Sequence, residues 1–323
     1  MNFYPIKFQP IYQYRIWGGD KLKTILKKDI STGQIGESWE ISDVDGNQTL
    51  VANGEWQGKT LKELIRDFQG KFVGEKVYRL FGEDFPLLIK FIDAKLPLSI
   101  QVHPSDELAK IRHNSFGKNE MWYVMQADEN SEIIVGFDEH ISKEKYQSYL
   151  EKGKILDLLH VEKPQKGDTY QIPTGRVHAI GSGILLAEIQ QTSDVTYRIY
   201  DYNRVDSKTG KLRDLHTELA LDALDFSVSE NYKTDYNKIE NTANTLVHTT
   251  YFKTNIYYLD GDKVLDYSDL DSFVILLCIE GSFQIPEFGK EINVKMGETI
   301  LLPASLNIVN IETEGATVIE VFI

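Results

Sequence analysis

Apolar and polar residues alternate over short stretches of this 323-residue chain more often than apolar residues recur at helical spacing. The segments "NEMWYVM", "SEIIVGF", "KGDTYQIPTGRVHAI", "GILLAEIQQ", "SFVILLCIEG" and "ATVIEVFI" are rich in β-branched and aromatic residues and are broken by Gly, Pro, Asp and Asn. Many strands at such short spacing predict a β-sandwich or barrel. Helical patterns are fewer. "TLKELIRDF" (60–68) repeats apolar residues at three to four positions, and so does "SKEKYQSYLEKGKILDLL" (142–159), where Gly153 is expected to split the helix. "DLHTELALDALDF" (214–226) opens on an acid, as helix N-termini often do. A polar, aperiodic stretch near residues 228–243 predicts a boundary, dividing the chain into units 1–235 and 236–323.

Two segments share a plan. Residues 166–190 and 296–323 each carry Gly, an acid, Thr, a strand, Pro five residues after the acid, and two further strands. The repetition predicts two related β-domains. They differ at one chemical position: His178 stands five residues after Pro173, whereas Ile308 stands five after Pro303. A metal site built on His178 would have no equivalent in the second copy.

Composition narrows the partners. With 41% hydrophobic and 26% charged residues, the chain has the makeup of a soluble globular protein. A net charge of -14 repels nucleic-acid backbones and anionic lipids, so neither is expected as a partner. An anionic small molecule would need a local cluster of Lys and Arg. The single cysteine, Cys278, sits in "FVILLCI" and reads as a core residue; it makes no internal disulfide or cysteine-rich metal site. The N-terminus has no apolar signal segment and no run is long enough to span a bilayer, so the expected location is cytoplasmic.

The candidate chemistry lies in the first unit. In "LSIQVHPSDE" (98–107), Gln101 and His103 are alternate residues of a strand and share a face. Glu120 opens the next strong strand, and "GDTYQIPTGRVH" ends on His178. Two imidazole nitrogens and two oxygens suit Zn²⁺, though other divalent ions accept the same donors. Each residue has a plainer reading: a hydrogen-bonded core histidine, a glutamine bonded to backbone, or Glu120 paired with Lys118. Leu186, Glu188 and Gln190 also share one strand face, which predicts polar groups beside the metal. Arg198 either pairs with Asp194 or Asp201 or faces a ligand. Lys90 and Lys95 read as surface residues. Trp122 either lines the pocket or packs in the core.

The pattern Gly167, Pro173, Gly175, His178 resembles the second conserved motif of the cupin superfamily, whose small jelly-roll barrels commonly hold a metal. The blocks "RIWGG" (15–19), "GESWEIS" (36–42), "LSIQVHP" (98–104), "GKNEMWYV" (117–124), residues 172–204 and "GETILLPA" (297–304) resemble type I phosphomannose isomerases in their short bacterial form. The resemblance implies a mainly β fold of two cupin-type jelly-roll β-barrels with a small helical part. It implies a zinc-dependent aldose–ketose isomerase of mannose 6-phosphate and fructose 6-phosphate, with one Zn²⁺ per chain and no metal in the C-terminal barrel. Carried over, the zinc ligands fall on Gln101, His103, Glu120 and His178. The catalytic arginine falls on Arg198, and Glu188 and Asp194 match acids of the active site. Ser99 and Lys118 match positions near the substrate and its phosphate. Arg204 stands where longer eukaryotic members carry a lysine, and Lys118, Arg198 and Arg204 are the candidates for a positive pocket that takes the phosphate. Ile180 stands where they carry a tyrosine, so that tyrosine's role does not transfer. Read without the resemblance, the residues leave open an iron oxygenase using two His and one carboxylate, or a sugar-phosphate-binding cupin without turnover. The oligomeric state is not legible.

Overall fold

In the computed structural model, which describes residues 3–31, 33–286 and 292–323, antiparallel strands dominate. The N-terminal unit faces two sheets toward each other. One has six strands in the order Thr169–Ile172, Glu120–Ala127, Ile184–Gln191, Leu87–Ala94, Ile11–Gly19 and Ile35–Ile41. The other has five: Leu159–Glu162, Ile133–Phe137, His178–Ile180, Ile100–Val102 and Tyr197–Tyr200.

Period-two alternation explains how the six-stranded sheet serves two cores. From the strand Ile184–Gln191, Leu185, Ala187 and Ile189 join one core and Ile184 and Leu186 join the other. Met121, Tyr123 and Met125 face the first, while Trp122 and Val124 face the second. A strand buried on both faces reads as a near-continuous apolar run, as "EMWYVM" does. The first core is shared with the C-terminal unit through Leu246, Ile256, Ile275, Leu277 and Ile319.

The C-terminal sheet runs Asn244–His248, Lys253–Leu259, Ala316–Phe322, Val274–Ile285 and Ile292–Lys295. Thr299–Leu302 also pairs with Val274–Ile285. A separate ribbon joins Lys263–Asp266 to Ile308–Ile311. The expectation of two jelly-roll barrels is therefore met only at the level of antiparallel β-structure: no sheet closes into a barrel among the described residues.

Helices follow their caps. Thr60 accepts from the Glu63 amide, and Glu63 reciprocates on the Thr60 amide, starting Leu61–Phe68. Gly153, at φ 67°, separates Lys143–Glu151 from the 3₁₀ turn Ile155–Leu158, the split the sequence predicts. The third helix spans only Thr217–Ala223, so Asp214 lies outside it and does not cap it. The helix Asp106–His113, capped by Ser105, closely follows the strand Ile100–Val102 and was not foreseen. No described helix is long and apolar enough to cross a membrane.

Candidate active site

His103, Glu120 and His178 meet in the interior, each at most 1% exposed. Strand geometry brings them together. His178 pairs in register with Gln101 across neighbouring strands, Gln101 pairs on its other side with Arg198, and His103 follows at the strand end. After the strand Thr169–Ile172, Pro173 and Gly175, the latter at φ +85°, turn the chain so that His178 starts the next strand. The Gly175 amide donates to the His103 carbonyl at 3.0 Å, tying that turn to the other histidine.

Each imidazole is oriented from behind. His103 Nδ1 lies 3.0 Å from the Val195 carbonyl, and His178 Nδ1 lies 2.8 Å from the Arg176 carbonyl. A carbonyl only accepts, so both Nδ1 atoms carry the proton and both Nε2 atoms keep a lone pair. Those lone pairs converge on Glu120: His103 Nε2 is 3.3 Å from Oε1 and His178 Nε2 is 3.8 Å from Oε2. The three donor atoms lie within 4.8 Å of one another. Glu120 Oε2 is buried without a hydrogen-bond partner, and an orphaned carboxylate oxygen beside two lone pairs asks for a cation. The Lys118 ammonium answers part of that demand, contacting Glu120 Oε1 and lying 3.2 Å from His103 Nε2. Burial would raise the Glu120 carboxyl, but the Lys118 ammonium and the imidazoles outweigh it and hold it well below its ordinary range. Burial, helped by the Lys118 charge, pushes His103 down to about 4, and burial also lowers His178. Both imidazoles are thus neutral and both can ligate. The donor set fits a divalent metal. Gln101 lies beside this group, its Nε2 3.2 Å from His178 Nε2.

Gln101 and Lys118 also line a cavity of about 400 Å³, so the cluster lies one side chain beneath its wall. Ser99, Glu188, Asp194, Arg198 and Ile180 line the same cavity. Glu188 is buried; its Oε1 accepts from Lys90 at 2.8 Å and its Oε2 from the Trp122 indole at 2.9 Å. Lys90 corrects a sequence expectation. It is 6% exposed, bonds Gln190 as well, and faces the cavity, because its strand is covered on both sides. Lys95 is exposed as expected. Trp122 is core: it is 1% exposed and meets His178 edge-on. Arg198 pairs with neither Asp194 nor Asp201; its Nη1 donates to the Asp214 carbonyl at 2.8 Å and its buried Nε has no partner. Asp194 is exposed on the cavity wall.

Arg204 is the second correction. It does not line the cavity: its Nη2 donates to Asp201 at 2.5 Å and its Nη1 is taken by the Pro97 carbonyl. The sequence reading missed Arg213 and the Arg15–Glu37 pair, all of which line the cavity. Glu37 accepts both arms of Arg15 at 2.9 Å and the Trp39 indole at 2.7 Å. Burial would raise Glu37, but Arg15 and Lys90 bring it down to about 2. Five cations (Arg15, Lys90, Lys118, Arg198, Arg213) thus face four carboxylates in the cavity of an otherwise strongly acidic protein. A mainly β chain with a buried His–Glu–His cluster under such a cavity is of a class that could hold a metal ion next to a small anionic ligand.

Comparison gives the particular family. "Phosphomannose isomerase type I, catalytic domain" matches residues 6–146, and "Mannose-6-phosphate isomerase, cupin domain" matches residues 242–322. The chain is 36% identical over 309 residues to mannose-6-phosphate isomerase ManA of Bacillus subtilis, covering 95% of each chain. It is 32% identical to the mannose-6-phosphate isomerase of Streptococcus mutans, covering 94% of this chain and 93% of the other. The chain belongs to the type I phosphomannose isomerase family. The crystal structure of the Bacillus subtilis mannose 6-phosphate isomerase superposes with a TM-score of 0.90 at 34% identity, covering 99% of both chains. A phosphomannose isomerase structure from Salmonella typhimurium shares the fold at 16% identity, with a TM-score of 0.81.

Proposed function

We propose that this chain interconverts mannose 6-phosphate and fructose 6-phosphate through an enediolate, with one Zn²⁺ held by Gln101, His103, Glu120 and His178. The observation that carries the reading is the convergence of two neutral imidazoles and an orphaned carboxylate oxygen directly beneath a cation-rich cavity. When bound, the metal supplies polarisation of the substrate's carbonyl and hydroxyl oxygens, worth several kcal/mol of barrier.

The protein's own residues supply the rest. With a divalent ion held by the cluster, Glu120 would no longer depend on Lys118 for its counter-charge, and Lys118 would be free to face the substrate. Arg198 lines the cavity, where a fixed guanidinium would stabilise the developing oxyanion without reorganisation. Glu188 and Asp194 are the carboxylates placed to move the proton between C1 and C2. Glu188 is held still by Lys90 and Trp122, which favours it as the positioned group. Ser99 lines the substrate's approach. Residues 1–235 form the catalytic unit and residues 236–323 a unit without metal. The two family matches, ending at 146 and starting at 242, support a boundary between them.

The test is turnover. Purified protein with zinc should form fructose 6-phosphate from mannose 6-phosphate, lose that activity to a chelator, and regain it with zinc. Metal analysis and an anaerobic assay separate it from an iron oxygenase. Binding of mannose 6-phosphate without product, with zinc present, overturns the reading.

A further inference from the structure

The segment between the strand Tyr197–Tyr200 and the helix Thr217–Ala223 forms one wall of the cavity, through Arg213 and Asp206. It is clasped to the opposite wall. The Tyr14 hydroxyl lies 3.1 Å from Ser207 Oγ, and the Lys208 ammonium sits 3.5 Å from the centre of the Tyr14 ring.

Arg204 and Arg213 share one carboxylate, Asp201, and differ in what they leave free. Arg204 commits both ends of its fork, to Asp201 and to the Pro97 carbonyl, outside the cavity. Arg213 gives Nε and Nη2 to Asp201, at 2.7 and 2.5 Å, and no protein group among the described residues engages its Nη1. It lines the cavity beside Arg198, whose Nε is also without a partner. The two guanidiniums sense each other: after burial, the Arg213 charge is what most lowers the pKa of Arg198. Two like charges with unused donors, in the cavity of a chain of net charge -14, set up a local positive field that an anion relieves. The layout has direction. His178, Gln101 and Arg198 lie on successive strands about 4.8 Å apart, so Arg198 stands about 10 Å from His178.

We propose that Arg213 binds the phosphate of the sugar-phosphate substrate. Asp201 holds its fork toward the cavity, and Arg204 braces Asp201 without touching substrate. Arg198 is thereby left to the reacting end of the sugar. The assignment rests on the isomerase reading and moves the phosphate contact from Arg204 to Arg213.

The test uses zinc-loaded protein and the variants Arg213→Gln, Arg213→Lys and Arg204→Gln. KM and kcat for mannose 6-phosphate are measured together with the inhibition constant of inorganic phosphate. Losing a charge-assisted contact to phosphate should raise KM and the phosphate inhibition constant together, about 10- to 100-fold in Arg213→Gln, with kcat nearly kept. Arg213→Lys should recover part of this, because the charge stays and the fork is lost. Arg204→Gln should move the phosphate constant less than about threefold by the same scale. An unchanged phosphate constant in Arg213→Gln overturns the proposal, as does a fall in kcat and melting temperature with KM unaltered. A larger phosphate effect in Arg204→Gln does so too. Should Arg213→Gln fail to fold, the Lys variant carries the same comparison. If wild-type protein makes no product, the isomerase reading falls separately. The seat is then read by whether inorganic phosphate raises the melting temperature of wild type and not of Arg213→Gln.

Discussion

The two halves of the chain carry the same strand plan and opposite interiors. Gly167 and Gly297, at φ 91° and 85°, open the unit in each half; strands follow at 169–172, 178–180 and 184–191, and again at 299–302, 308–311 and 316–322. Glu188 and Glu320 each stand five residues after a left-handed glycine, Gly183 and Gly315. The register then matches neighbours. Glu188 lies opposite Lys90 and Trp122, and Glu320 opposite Asn255 and Leu276. Glu120 lies opposite Ile172, as Val274 lies opposite Leu302. His178 faces Gln101, while Ile308 faces Asp266. The strand plan is kept while Glu120, His178 and Lys90 become Val274, Ile308 and Asn255. The second interior is filled by Tyr257, Val274, Leu276, Cys278, Phe283 and Val318. One strand plan therefore makes either a donor cluster under a cavity or a packed core, depending on a few inward positions.

The strongest way to break this comparison is to give the first half the second half's residues. If the proposed zinc site is right, His178→Ile and Glu120→Val should each abolish zinc binding and lower turnover roughly a thousandfold, the scale of losing metal polarisation. Metal content and kcat/KM check this together. A variant that keeps full zinc and full activity removes the cluster from the mechanism.

The buried glutamates come next. Glu188→Gln leaves the buried Lys90 short of its carboxylate partner and should cost about 3 kcal/mol in denaturant unfolding. Glu320 is held by neutral donors, Asn255 at 2.7 Å and Tyr267 at 2.8 Å. Among the described residues no buried cation pairs with it, so Glu320→Gln should cost about 1 kcal/mol. Equal losses would show that the charge pair does not distinguish the halves.

Glu37 sharpens the same contrast through pH. Its folded carboxyl is lowered from the ordinary 4.5 to about 2. The stability this gives is full above pH 4.5 and is lost as pH falls toward 2. It amounts to on the order of 3 kcal/mol. Glu37→Gln should flatten the fall in stability between pH 5 and 2 by an amount of that order. A slope unchanged from wild type would mean that Arg15 and Lys90 do not hold the charge.

What the sequence made legible was local. His103, Glu120 and His178 could be grouped because a Gly–Pro–Gly turn and a two-residue strand period set which way a side chain faces within one segment. Lys90 could not be placed. A lysine in "LLIKFIDA" is buried only because strands pair on both sides of it, and pairing is a long-range fact. Arg213 was missed for a related reason. It lies in an irregular loop with no periodicity, and only the folded path of that loop brings it to the cavity while turning Arg204, nine residues earlier, away. The helix Asp106–His113, capped by Ser105, is mostly polar and has no strong apolar repeat to mark it in the sequence. The closed barrels implied by the resemblance depend on edge pairings that the observed sheets do not make.

The smallest expected effect is also the most direct probe of the second half. Ile308→His restores the one residue whose loss first set the two copies apart. Ile308 is 54% exposed and opposite the exposed Asp266, whereas His178 is fully buried. The Glu120 counterpart, Val274, is sealed among Leu276, Leu302 and other apolar side chains. An exposed imidazole with Asp266 as its one neighbouring donor makes no closed site, so the proposed one zinc per chain should be unchanged and stability should change by less than about 0.5 kcal/mol. Adding Val274→Glu would not complete a site, because it buries a carboxylate in an apolar core at a cost of several kcal/mol. Zinc stoichiometry of Ile308→His decides the matter. Two ions per chain would mean that the second interior still holds a latent donor set, and that the halves differ by one residue instead of by a rebuilt core.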